Sequence, residues 1–91
     1  MTKARLRPMW SAMAIFYFDH RLESRFIRDS DGVDLADEEA ARLAAATALG
    51  EAVRDASPAC RDRSELVIEV RRENDTQPFL RASAVAEIKR L

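Results

Sequence analysis

A strand that is apolar on both sides constrains this chain more than any other feature. Residues 13–19 are rich in aromatic and branched side chains, which favour an extended backbone. Successive side chains on a strand point to opposite faces. Met13, Ile15 and Tyr17 therefore share one face, and Ala14, Phe16 and Phe18 share the other. Such a strand needs cover on both faces.

The elements that follow supply cover for only one of them. Residues 21–24 read as a turn, and residues 25–29, with Phe26 and Ile27, as a shorter second strand that closes a hairpin. Asp31 and Gly32 are a turn signal, because glycine tolerates a positive φ. Val33, Asp34 and Leu35 then lead into a helix. Asp37 is placed to cap it, with Glu38 and Glu39 at the positive end of its dipole. The run to Ala56 is dominated by alanine, the strongest helix former. Leu43, Ala46, Leu49, Gly50 and Val53 fall on one broad face and are the expected buried stripe. Ser57 and Pro58 stop the helix, since the residue before proline avoids helical backbone.

The last third reads as a second hairpin. Residues 65–71 alternate, with Leu66, Ile68 and Val70 pointing inward. Asn74 and Asp75 mark the turn, and Pro78 opens the fourth strand, where its missing N–H does least harm. Residues 84–91 fit either a continuation of that strand or a terminal helical turn, because Val85, Ile88 and Leu91 share helical spacing. The expected fold is therefore α+β, in the order β-β-α-β-β. It has one four-stranded antiparallel sheet with a single long helix packed on one face. Residues 12–91 form this single domain, preceded by a basic extension over residues 1–11, expected to be flexible.

Composition narrows the function classes. The chain has 91 residues, 15 basic against 16 acidic, which gives a net charge of -1 and no overall attraction for nucleic acid or an anionic membrane. No apolar run approaches the roughly 20 residues of a membrane span. The single cysteine, Cys60, permits no intrachain disulfide and fits a reducing compartment such as the cytoplasm.

Chemistry-bearing patterns are sparse. Asp29, Asp31, Gly32 and Asp34 suggest a calcium loop, but Gly32 stands fourth from Asp29 where an EF-type loop needs it sixth, and Ala40 stands twelfth where a bidentate Glu is needed. No metal or other cofactor is expected. His20 is the only histidine and has no sequence partner for acid–base work. Arg61 and Arg63 beside Cys60 would favour a thiolate, but no Cys-x-x-Cys motif exists. No catalytic residues are assigned, and enzyme function is not expected. Nucleic-acid contact would rest on Lys3, Arg5 and Arg7 in the extension and on Arg71, Arg72 and Arg81 in the second hairpin, with acids interleaved among the latter three.

Phe16, Tyr17, Phe18 and Asp19, then Ile27, Arg28 and Asp29, Gly32 to Leu35, Asp37, and Glu39, Ala40, Ala41 and Arg42 together resemble a group of small proteins of unknown function common in rhizobia and related alphaproteobacteria. The resemblance covers residues 14–55 and, less closely, 65–80. It implies a fold and no activity. More distantly, Asp31, Gly32, Asp37, Glu38, Glu39 and Ala40 are similar to a pattern of the HicB-like antitoxin domain. That similarity implies a protein that binds and blocks a partner, although no helix-turn-helix or ribbon-helix-helix segment follows.

The expected function is that of a small non-enzymatic binding or assembly module. The expected partner is a second copy, in a homodimer formed through the sheet face that the helix leaves uncovered, or else another protein. Ile15, Phe16, Tyr17, Phe18 and Trp10 are the expected interaction surface, with Met9 and Trp10 as an alternative cover for that face.

Overall fold

The computed structural model describes residues 13–23, 25–56 and 62–91. Their order is β1 (Ala14–Leu22), β2 (Arg25–Ile27), β3 (Val33–Leu35), α1 (Glu38–Ala56), β4 (Arg63–Arg72) and β5 (Pro78–Glu87). All pairings are antiparallel, in the order β2-β1-β4-β5, with β3 also on β1. The fold is the expected α+β sheet with one helix, and it gains a short fifth strand.

That fifth strand comes from how β1 divides its outer edge. β3 pairs with Ala14, Ile15 and Phe16, while β2 pairs with His20, Arg21 and Leu22. Phe18, between the two, has no strand beside it on this edge. Its N–H donates instead to Asp29 Oδ2 at 2.9 Å. A side chain thus closes the gap that a strand would fill, as a buried N–H requires.

β1 also runs further than its sequence suggests, through Asp19 to Leu22. The turn then comes at Glu23 (φ 57°), whose N–H donates to the Glu65 carbonyl. β5 extends to Glu87, which settles the open reading of residues 84–91 in favour of strand up to that point.

The helix starts where its cap predicts. Asp37 Oδ1 accepts from the Ala40 N–H at 2.8 Å. The buried stripe differs from the sequence expectation, however. Ala41, Ala45 and Ala52 are the buried helix residues, flanked by Ala48 and Leu49, whereas Leu43 is 54% exposed. Alanine at each fully buried position lets the helix sit close on the sheet, and Leu43 stays outside. The core joins Ala41 and Ala45 to Phe16, Ile68 and Val70.

A bulge in β5 completes that core. Val70 pairs with Leu80 but Arg71 pairs with Pro78, so Phe79 is an extra residue. Neighbours on a regular strand point to opposite faces, yet the bulge lets Phe79 and Leu80 both pack on the core. Phe79 meets Phe16 with ring centres 5.9 Å apart.

Candidate functional site

The two faces of β1 are built differently. On the face away from α1, Asp19 and Arg71 are 4% and 6% exposed. Arg71 Nε donates to Asp19 Oδ2 at 2.7 Å and Nη2 to Oδ1 at 3.1 Å, a two-point grip that fits a planar guanidinium to a carboxylate. Nη2 also donates to the Asp29 carbonyl, and the Asp29 N–H donates to Asp19 Oδ1. The guanidinium lies 4.9 Å from the centre of the Tyr17 ring. Burial pushes the Asp19 carboxyl up, but the hydrogen bonds from Arg71 and Asp29 and the charges of Arg71 and Arg28 outweigh it and hold it below its ordinary value. The hydrogen bond that Arg71 donates to Asp19 raises Arg71 in turn.

The acidic turn closes over this pair. Asp29 Oδ1 accepts from the N–H groups of Asp31 and Gly32. Gly32 has φ +72°, and a Cβ there would stand 2.8 Å from Ile15 Cγ2 and 2.9 Å from Tyr17 Cε1. The glycine is needed for both its φ and its close approach. Further along the same face, Glu69 holds Arg81 at 2.7 Å and lies 3.7 Å from Arg21.

The residues expected to form one interaction surface are therefore divided. Phe16 and Phe18 pack on the helix side, with Phe16 in the core. Ile15 is 3% exposed beneath the acidic turn, and Tyr17 stacks on Arg71. The second face is thus loop-covered and charge-paired, where the sequence reading had an apolar one. The reason is non-local: Asp19 and Arg71 are 52 positions apart. Trp10 lies outside the described residues, as do Lys3, Arg5, Arg7 and Cys60.

The three expected phosphate contacts in the second hairpin are each engaged within the chain. Arg71 is held by Asp19 and Arg81 by Glu69. Arg72 pairs with Glu38 and stacks 4.0 Å from the centre of the Phe79 ring.

The helix side has an opening. α1 packs on β4 and β5 and leaves the end of β1 and β2 beside it uncovered. A cleft of about 550 Å³ lies between them. Its floor is apolar, from Leu22, Leu66, Ala48 and Ala52, because the alanines that let the helix sit close do not fill the space beside it. Its rim carries Glu23, Glu51, Asp55 and Glu65 with the Arg25 guanidinium, and two of these acids already have a cation: Arg63 donates to Glu65 Oε2 at 3.2 Å and Arg54 lies 3.6 Å from Asp55. His20 and Ser64 complete the polar lining. Among the described residues, no group of three or more His, Cys, Asp or Glu side chains is placed to hold a metal ion.

Sequence reasoning placed none of these rim acids together. Their signal is weak, since Glu51 and Asp55 are an ordinary solvated pair on a helix until the turn after β1 and β4 bring Glu23 and Glu65 opposite.

The chain belongs to the family described as Domain of unknown function (DUF6894), which matches residues 15–85. The matched span starts inside β1 and ends inside β5, so it holds all six elements and both faces of β1. No curated protein and no solved structure matches the chain. No helix among the described residues is long and apolar enough to cross a membrane.

Proposed function

We propose that this DUF6894 member is a cytoplasmic, non-catalytic binding module whose cleft beside α1 receives a basic, partly apolar segment of a partner protein. One observation carries the reading. The cleft combines an apolar floor with an acidic rim on which Glu23 and Glu51 have no ion-pair partner among the described residues, and that contrast suits an arginine or lysine side chain flanked by aliphatic ones. Support for a non-catalytic role comes from His20, which lines the cleft but makes no hydrogen bond to a described residue that would orient it for proton transfer. An antitoxin-like role is a special case of the same reading, with a toxin as the partner. A nucleic-acid role is less well supported, because Arg71, Arg72 and Arg81 are all engaged by carboxylates of their own chain.

Isothermal titration tests the reading with two ten-residue peptides, one alternating arginine and leucine, the other glutamate and leucine. The basic peptide is expected to bind and the acidic one not. Glu51→Lys with Asp55→Lys is expected to weaken binding about tenfold, as reversal of two rim charges should. Equal binding of both peptides, or none of either, refutes it.

A further inference from the structure

Among the described residues no strand pairs with the outer side of β5, which is an edge of the sheet. Ile88 N–H donates to the Asp62 carbonyl at 2.9 Å, which marks these two as a hydrogen-bonded pair of the β4–β5 ladder. By register, the pairs Ser64–Ala86, Leu66–Ala84 and Ile68–Ala82 are of the same kind. The residues between them, Arg81, Ser83, Val85 and Glu87, aim their backbone N–H and C=O groups out of the edge. Natural edges are guarded by charge, proline or bulges. Pro78 and the bulge at Phe79 guard only the start of β5. Residues 82–86 carry no charge, and Val85 is 54% exposed.

We infer that this edge pairs with the same edge of a second copy, antiparallel about a two-fold axis at Ala84. The outward groups sit on alternate residues, so the axis must pass through a residue and not between two. Only Ala84 places Arg81 opposite Glu87 of the second copy, and it does so at both ends. The same register sets Ser83 opposite Val85 and, on the helix side, Leu80 opposite Ile88. Arg81 holds Glu69 through Nε and Nη2, which leaves Nη1 for the second carboxylate.

The helix fits the same axis independently. Ala48, Glu51 and Asp55 line the cleft with residues of β1 and β2, so that flank of α1 looks toward them. At about 3.6 residues per turn the opposite flank carries Ala46, Leu49 and Val53 and looks beyond β5, while Gly50 stands opposite the buried Ala41 on the outer face of the helix. Leu66, the ladder partner of Ala84, shares the cleft with Ala48 and Ala52, so the axis crosses the helix level with Gly50. Paired edges stand about 4.8 Å apart, which brings the two helices to roughly 10 Å, their usual packing distance. Across that gap Leu49 and Val53 face the second helix.

Light scattering over a concentration series tests this on the full chain. The expected particle has twice the 10.3 kDa chain mass. Ser83→Pro removes an outward N–H and leaves the β4–β5 ladder intact, so it is expected to weaken the dimer at least tenfold with an unchanged far-ultraviolet circular dichroism spectrum. Glu87→Lys, which sets two cations opposite each other, is expected to weaken it as well. Glu51→Lys, in the cleft, should leave the mass unchanged whether or not the cleft binds a peptide. A single-chain mass at every concentration overturns the inference. So does a dimer that folded Ser83→Pro and Glu87→Lys both leave intact.

Discussion

The two faces of β1 make opposite use of the same strand. Away from the helix, Asp19, Arg71 and Asp29 satisfy one another under a tight glycine turn. Toward the helix, β1 ends in His20 and Leu22 beside an open, acid-rimmed cleft. The closed face fixes where the strand lies, and the open face is where the proposed function places the partner. Rigid support behind an accessible surface is the arrangement that a preorganised site needs.

The largest expected effect breaks the closed face. Arg71→Ala leaves the Asp19 carboxylate buried and unpaired, which should cost about 3–5 kcal/mol in chemical denaturation. Replacing both partners, Asp19→Leu with Arg71→Met, should cost clearly less, since no charge is then stranded. If the single and double variants were equally unstable, the pair would owe its effect to packing and not to charge.

Gly32→Ala comes next. Its Cβ collides with Ile15 and Tyr17 at a positive φ. A loss of about 1–3 kcal/mol is expected, read as a lower melting temperature.

Acid should act on the closed face. Asp19 binds its proton less readily in the folded chain than in the unfolded one, where its value is near 3.8. The stability it contributes is therefore present above that value and lost as pH falls through the lower folded value. Denaturation between pH 5 and pH 2, numbers chosen to span that window, should show a drop that Asp19→Asn flattens.

The smallest effect sharpens the contrast from the other side. Glu51→Lys in the cleft should change stability by no more than about 0.5 kcal/mol, as surface substitutions do, while weakening peptide binding.

What was legible in the sequence follows the same division. The Asp37 cap, the alanine helix and the inward Leu66, Ile68 and Val70 are local signals, and each appears where its residues place it. Asp19 reads locally as the end of a strand, yet β1 continues through it because Arg71 neutralises it from β4. Asp29 reads as a turn acid, yet its carboxylate stands in for a missing strand at Phe18. The helix stripe was misplaced because Leu43 outranks alanine in hydrophobicity, whereas close seating on the sheet selects small side chains. The cleft is not legible locally, since its acids come from the turn after β1, from α1 and from β4 and meet only when folded.

The most direct test of the open-face claim is an amide-resolved NMR titration of labelled protein with the peptide alternating arginine and leucine. The account predicts shifts confined to the cleft, at His20, Leu22, Ala52 and Ser64, with Asp19 and Arg71 unmoved. Shifts centred on Tyr17, Asp19 and Arg71, or no shifts at all, would contradict it.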